Sequence, residues 1–556
     1  MKEQKENFTV NKYIISRLEE LGIENVFGVP GDYVLDFLDY LCKSNLKWIG
    51  TCNELNAGYA ADGYARVKGL GAAVVTYGVG GFSILNAVSG AYAEQVPLII
   101  ISGAPHSARR RGNALVHHLT NDYLLQYDIF KKVTVDAVMI SNPHTAPEEI
   151  DRVLQNCIMQ KRPVYIELPL DIGKMQCKAP NQFSLPEPLK SDFDTLEECV
   201  EEASDRINNA NNPILLAGVE LLRFGLQKEA LKLVERIELP FATTISSKAA
   251  LPELHPQFMG IYQGSMSRPE VKNQIETSDC VLSLGVWLTD FDTGGFTAYL
   301  EEKNLINANT EQVKIMRHSY NNVMLADFIK LLADKVKPRS YLHSHPHARF
   351  SPMGEFIPAH NKKITAKRFY DRLNRFLNDD MILLAEPGDA ICAAPELQIE
   401  EADNFISQAY YLSIGYCTPA SLGVALANPN KRVVILSGDG AFQMTANELS
   451  THLKNNTNAV FFLINNDGYL IERLLHEDGP YNDIQQWKYS QLPKVFSDNV
   501  ICFEVWTEGE LEQSLETINN VKNKLIFIEL HFDKYDCSLA LQRLGENFRR
   551  LAESKH

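Results

Sequence analysis

The sequence lacks long apolar runs, paired cysteines and basic tracts, and each lack removes a class of protein. Its apolar stretches, such as residues 97–104, fall far short of the roughly 20 residues that a membrane-spanning helix needs. Residues 1–7 are polar and offer no apolar core for a secretory signal. The ten cysteines are scattered and form no Cys-x-x-Cys, which argues against a zinc site or a disulfide framework. They suit the reduced thiols of a cytoplasmic protein. A net charge of −16 argues against nucleic acid as a partner, because neutralising phosphates needs clustered cations. The one basic run, Arg109-Arg110-Arg111, reads as a solvated or locally paired loop. There is no short-period repeat and no low-complexity tract.

What remains is a soluble globular chain, 45% apolar and 22% charged. Its 556 residues exceed the roughly 250–300 that one core supports, which predicts about three domains of ordinary size. Three doubly wound α/β domains with parallel sheets are expected, over residues 1–180, 190–340 and 360–556. In the first, Thr9 caps a helix that Gly22 stops, and strands are predicted at 25–29, 73–79, 98–102 and 164–168. A proline-rich linker, 180–188, leads to strands at 213–217, 241–244, 280–285 and 305–307. A polar linker over 338–352 precedes strands at 381–385, 433–437, 460–465 and 525–530.

The strongest chemical signal lies in the third unit. Gly438-Asp439-Gly440 follows one apolar strand, and Asn465-Asn466-Asp467-Gly468 follows the next. Adjacent parallel strands bring both ends to the sheet edge where α/β folds bind ligands. Magnesium takes hard oxygen ligands, with phosphates completing its shell; Asp439, the Asn466 side chain and the Gly468 carbonyl can supply them. Backbone N–H groups around the glycines can hold a diphosphate. Thr445 and Glu448 have the spacing of a capping box for the helix that follows.

Gly-Asp-Gly followed after a gap by Asn-Asn resembles the cofactor motif of thiamine diphosphate enzymes. Three further segments narrow the likeness: residues 28–32 ending in Asp32, residues 52–58 around Glu54, and the pair His117-His118. With Ile471-Glu472 they resemble the pyruvate and indolepyruvate decarboxylase family over nearly the whole chain. The resemblance implies a pyrimidine-binding domain, a middle domain and a diphosphate-binding domain, with thiamine diphosphate and Mg²⁺ as cofactors. The implied reaction is non-oxidative decarboxylation of a 2-oxo acid to an aldehyde and carbon dioxide, through an enamine on the cofactor.

In that scheme Glu54 hydrogen-bonds the aminopyrimidine, where otherwise it would be a surface glutamate near a helix start. Asp32, His117, His118 and Glu472 serve the proton transfers. Val79, Ile414, Asp439, Gly440, Ala441, Asn466, Gly468 and Ile471 contact the cofactor, and Ile414 is the apolar wedge that keeps its two rings bent. Asp439, Asn466 and Gly468 hold the metal.

The implied substrate wall is Phe291, Pro387, Ile391, Ile471, Leu544 and Phe548. Pyruvate decarboxylases place tryptophan where Ile391 stands, so branched-chain or aryl 2-oxo acids are expected over pyruvate. The resemblance also implies active sites shared between chains, hence a dimer at least and a tetramer as the expected homo-oligomer. Cys280 is the one cysteine between residues 200 and 391 and is away from the family's regulatory position, which predicts hyperbolic kinetics. An acetolactate synthase-like carboligase and a catalytically dead cofactor-binding protein are the alternatives. A flavin spectrum marks the first, and absence of carbon dioxide release the second.

Overall fold

The structure is a computed structural model that describes residues 8–338 and 355–553, with side chains as far as residue 547. It contains three six- or seven-stranded α/β sheets. The first consists of β1 (Asn25–Gly28), β2 (Lys47–Gly50), β3 (Gly71–Val75), β4 (Leu98–Ala104), β5 (Asp136–Met139) and β6 (Val164–Pro169). All are parallel, in the order β2-β1-β3-β4-β6-β5. Strand alternation divides β3 and β4 between two cores. Ala73, Val75, Leu98 and Ile100 face one, and Ala72, Val74, Ile99 and Ile101 face the other. Both faces are therefore covered, which is why β4 reads as an unbroken apolar run.

The middle sheet has β7 (Pro213–Ala217), β8 (Phe241–Thr243), β9 (Phe258–Ile261), β10 (Cys280–Leu284), β11 (Leu305–Asn309), β12 (Gln312–Ile315) and β13 (His318–Asn321). Their order is β13-β12-β11-β10-β7-β8-β9. Five strands are parallel, and an antiparallel hairpin, β12 with β13, finishes one edge. The third sheet has β14 (Met381–Ala385), β15 (Phe405–Ile406), β16 (Arg432–Gly438), β17 (Val460–Asn465), β18 (Val500–Val505) and β19 (Leu525–His531). It is parallel, in the order β15-β14-β16-β17-β19-β18.

The first and third units share a core. The helix Glu54–Lys68 lies against the helix Cys417–Ala427 so closely that a Cβ at Gly63 would strike the Ala420 carbonyl, and one at Gly423 the Ala60 carbonyl. Alanine-rich faces and these two glycines allow that approach. Thr9 caps the first helix through the Lys12 N–H at 3.3 Å, and Gly22 leaves it at φ +79°. Residues 180–188 have no regular structure, as a linker should. Buried Arg17 ties it to the first unit by donating to the Asn181 carbonyl at 2.6 Å. Most of the 338–352 linker lies outside the described residues.

Two local expectations fail. The strand predicted over 73–79 ends at Val75, and Val79 opens the helix Val79–Ala93. The capping box at Thr445 and Glu448 does not form: Thr445 ends the helix Asp439–Thr445, and its hydroxyl donates to the Gly415 carbonyl at 2.7 Å. The basic run forms the short helix Ser107–Arg111, with Arg110 3.6 Å from Glu167.

Candidate active site

The register of β16 and β17 sets Gly438 beside Ile464, so Asp439 and Asn466 leave the sheet side by side at its carboxyl edge. Asp439 is fully buried, and its carboxylate accepts the N–H of Gly440 at 2.8 Å and of Gly468 at 3.1 Å. No cationic side chain pairs with it among the described residues, and burial pushes its pKa up to about 7. A buried carboxylate without a counter-charge is costly. Asp439, Asn466 and Gly468 line one cavity, and a carboxylate, an amide oxygen and a backbone carbonyl are donors of the hard-oxygen kind that Mg²⁺ takes.

The turn after β17 is built around that edge. Gly468 adopts φ +124°, and a Cβ there would strike the Asn482 carbonyl. The buried guanidinium of Arg473 then pins the turn, donating to the carbonyls of Asn466 at 3.2 Å, Asp467 at 2.5 Å and Asn482 at 3.1 Å. Sequence reasoning missed Arg473, although it stands next to Glu472. At Gly440 a Cβ would meet the Tyr469 ring at 2.6 Å, so the backbone there stays open and close to the edge.

From this edge opens a cavity of about 320 Å³. Asp439, Gly440, Ala441, Asn466 and Gly468 line one end, and Ile414, Ile471 and exposed Glu472 border it. The opposite wall comprises Phe291, Pro387, Ile391 and Leu544. Phe548 lies on the helix Leu539–Glu553, but its side chain is outside the described residues. That helix is anchored at its start by Ser538, whose hydroxyl donates to Asp389 at 2.6 Å.

Ile414 sits on a turn organised by Glu386, another residue that sequence reasoning passed over. The buried Glu386 carboxylate accepts the N–H groups of Gly415 at 2.9 Å, Tyr416 at 3.0 Å and Cys417 at 3.0 Å. Burial nevertheless pushes its pKa up to about 7. Gly415 takes φ +86°, a conformation that favours glycine. The turn leaves Ile414 37% exposed, prominent at the rim rather than lost in the core.

The remaining candidates gather in the first unit. Asp32 Oδ2 lies 2.6 Å from His117 Nε2, and reactive atoms of Asp32, His117 and His118 all lie within 4.8 Å of one another. Tyr33 stacks on His117 with 4.8 Å between ring centroids. Its hydroxyl reaches His117 Nδ1 at 3.4 Å and the His117 carbonyl at 3.2 Å. Only its place beside Asp32 could have marked Tyr33 in the sequence.

Half-buried Glu54 is the first residue of its helix, whose N-cap Asn53 accepts the Asn56 N–H at 2.8 Å. A Cβ at Gly80 would stand 3.3 Å from Glu54 Oε1, so the carboxyl group lies against the start of the helix that carries exposed Val79. Glu448, instead of capping a helix, accepts the Cys52 N–H at 3.1 Å and the Asn56 amide at 2.7 Å. It thereby ties the start of the Glu54 helix to the third unit. Asp32, Glu54, Val79, His117 and His118 do not line the cavity at Asp439. The chain thus presents two groups of candidate residues, one per unit. Cys280 is buried, and desolvation pushes its thiol up to about 12, which leaves it unreactive.

Known proteins match in the same three parts. Residues 8–127 match the N-terminal TPP binding domain of thiamine pyrophosphate enzymes, residues 200–336 their central domain, and residues 390–524 their C-terminal TPP binding domain. The chain is 34% identical over 555 residues to a pyruvate decarboxylase of Aspergillus fumigatus, covering 97% of this chain and 96% of that one. It is 34% identical over 531 residues to an alpha-keto-acid decarboxylase of Mycolicibacterium paratuberculosis, covering 94% and 93%. Pyruvate decarboxylase 1 of Arabidopsis thaliana is 33% identical over 550 residues, covering 97% and 90%.

Proposed function

The chain belongs to the thiamine diphosphate-dependent 2-oxo acid decarboxylases, and from that premise we propose that it prefers branched-chain or aryl 2-oxo acids to pyruvate. The observation that carries this reading is the cavity that opens from the Asp439–Asn466 edge, lined by apolar Phe291, Pro387, Ile391 and Leu544 together with Glu472. Asp439, the Asn466 side chain and the Gly468 carbonyl would hold Mg²⁺. The backbone at Gly440 and Ala441 would meet the diphosphate, and Val79, Ile414 and Ile471 the rings. Thiamine diphosphate, when bound, supplies the electron sink for loss of carbon dioxide.

The protein's own groups do the rest. Glu54 would hydrogen-bond the aminopyrimidine and hold the proton that activates it. Ile414, held out by the Glu386 turn, would pack as an apolar wedge against the cofactor rings. Asp32 and His117, in hydrogen-bond contact, with His118 beside them, would hold protons for delivery to the reacting carbon of the substrate. Glu472, on the cavity side, faces the same substrate from the third unit. The apolar wall of Phe291, Pro387, Ile391 and Leu544 excludes water and receives the substrate side chain.

Because the first group does not line the cavity formed by the second within one chain, we place the complete site between two chains in a homodimer, with a tetramer as the full assembly. An active monomer in sedimentation at assay concentration overturns that. All ten cysteines are free thiols, which supports a cytoplasmic location. No helix among the described residues is long and apolar enough to cross a membrane. The decisive assay is carbon dioxide release from pyruvate, 4-methyl-2-oxopentanoate and phenylpyruvate, with and without thiamine diphosphate and Mg²⁺. Cofactor-dependent release, fastest with the larger acids, is expected. Higher kcat/KM for pyruvate overturns the preference, and a flavin spectrum with acetolactate as product makes the chain a carboligase.

A further inference from the structure

Behind the two histidines runs a buried hydrogen-bonded chain that none of the catalytic assignments uses. The Gly78 N–H donates to Gln126 Oε1 at 2.7 Å. The Gln126 amide nitrogen donates to the Tyr165 hydroxyl at 2.6 Å and the Ser102 hydroxyl at 2.9 Å. Tyr165 in turn donates to Glu167 Oε2 at 3.0 Å, and Arg110 stands 3.6 Å from Glu167 Oε1. Gln126, Tyr165 and Glu167 are at most 1% exposed, so these bonds are not exchanged for bonds to water.

The order of donors fixes the geometry. Glu167 takes the tyrosine proton, so the tyrosine oxygen must accept from an N–H. That turns the nitrogen of the Gln126 amide inward and its oxygen toward Gly78. Gly81 leaves room for this, since a Cβ there would press on Gln126 Oε1.

Gly78 is where the chain meets the site. It adopts φ +69° and is the N-cap residue ahead of Val79. A Cβ on it would strike the His118 carbonyl and come 2.7 Å from His118 Cβ. His118 rests directly on Gly78, and has φ +68° itself. Arg110, on the helix Ser107–Arg111, and Gln126, on the helix Leu125–Val133, bracket the segment that carries both histidines. The chain thus holds both ends of that segment and the glycine beneath it.

We infer that Gln126, oriented by Tyr165 and Glu167, is a positioning residue of the active site that sets His118 relative to Val79 by fixing the conformation of Gly78. The inference rests on the catalytic reading of His118 given above. It predicts that removing the tyrosine hydroxyl leaves the Gln126 amide nitrogen held by Ser102 alone, so that the amide loosens and the histidine shifts with it.

The test uses the holoenzyme with Tyr165→Phe, Glu167→Gln and His118→Ala, alone and as Tyr165→Phe with His118→Ala. Each is measured for kcat, KM and thermal midpoint. Tyr165→Phe is expected to lower kcat by about 5- to 20-fold, the scale of a lost hydrogen bond and a displaced catalytic group, with KM for the 2-oxo acid little changed. Glu167→Gln keeps an acceptor for Tyr165 and should stay within about twofold of wild type. In the His118→Ala background the tyrosine substitution should have no further effect on kcat, because the group it positions is gone. A Tyr165→Phe enzyme with unchanged kcat overturns the inference while leaving the role of His118 standing. So does an equal loss in both backgrounds, which would mark a general structural role. A fully active His118→Ala enzyme overturns the catalytic reading and the inference together.

Discussion

His117 is held at both ring nitrogens, by Asp32 at 2.6 Å on Nε2 and by the Tyr33 hydroxyl at 3.4 Å on Nδ1. Tyr33→Phe keeps the stacked ring but removes the polar tether. It should lower kcat by about 3- to 10-fold, the scale of one lost hydrogen bond, with little change in KM. Asp32→Asn should cost about 100-fold or more, as expected when a proton-transfer partner is lost. Steady-state rates of carbon dioxide release distinguish the two. If both variants fall by the same small factor, Asp32 is a tether and not an acid.

Glu54→Gln should give a folded enzyme that retains thiamine diphosphate but decarboxylates very weakly, because an amide cannot pass a proton to and from the aminopyrimidine. Cofactor affinity by tryptophan quenching and turnover on the same preparation check this. Near-normal turnover removes Glu54 from its role.

Gly468→Ala tests the metal edge. The residue stands at φ +124° and faces the Asn482 carbonyl, so alanine must displace the turn that presents the Gly468 carbonyl and receives Arg473. The Mg²⁺ concentration for half-maximal activity should rise by about tenfold or more, as for a ligand moved out of place. An unchanged Mg²⁺ requirement places the metal elsewhere.

Much of this site is visible in the sequence because strands covered on both faces leave unbroken apolar runs. β17 falls at the predicted residues and β16 extends one residue beyond them at each end, and the ends of these two strands deliver the Asp439 and Asn466 motifs. Edge strands are less legible: β2, Lys47–Gly50, is exposed at its lysine and half-buried at Trp48 and Gly50, so it has no such run. Val79 misled for the opposite reason, since strand-favouring residues continue past Val75 through Thr76 and Tyr77 while the left-handed Gly78 turns the chain into a helix. The contacts that position the site are the least legible. Glu448 has the local spacing of a cap but is claimed by Cys52 and Asn56, nearly 400 residues away in sequence. Arg473, Glu386 and Gln126 act on segments that only the fold brings to them.

Glu386 predicts a pH dependence. Its carboxyl group has an ordinary pKa of 4.5 and is pushed up to about 7 by burial. Below 4.5 both folded and unfolded chains carry the proton. As pH rises toward 7 only the unfolded chain gives it up readily, so stability falls across that window and levels off above it. The shift corresponds to about 3 kcal/mol. Glu386→Gln removes this titration, so the stability of wild type relative to the variant should be greater at pH 5 than at pH 7.5, measured by denaturant unfolding of the holoenzyme. A difference independent of pH would show that the three backbone N–H groups hold the carboxylate charged throughout. The variant should also lose activity, because an amide nitrogen cannot accept the Cys417 N–H and the turn under Ile414 loosens.

Substrate size turns on Ile391. Ile391 is fully buried and borders the cavity together with Phe291, Ile471 and Leu544. A tryptophan at 391 has nowhere to go but inward, into a space of about 320 Å³ that must also admit the reacting carbon. Each methylene a substrate buries here contributes about 0.8 kcal/mol, so the wild-type cavity should favour 4-methyl-2-oxopentanoate over pyruvate by several-fold per added carbon. Phe291 limits the gain at the far end and offers an aromatic face to a phenyl group. Pro387 adds no side-chain donor, which keeps the wall apolar. Ile391→Trp should therefore cut kcat/KM for 4-methyl-2-oxopentanoate and phenylpyruvate by about 100-fold or more, while pyruvate, with only a methyl group to place, loses less than about tenfold. Overpacking can also loosen the fold, so the ratio of kcat/KM between substrates on one preparation is the measurement to read. If that ratio does not change, the side chain of the 2-oxo acid lies elsewhere and this wall is ordinary core.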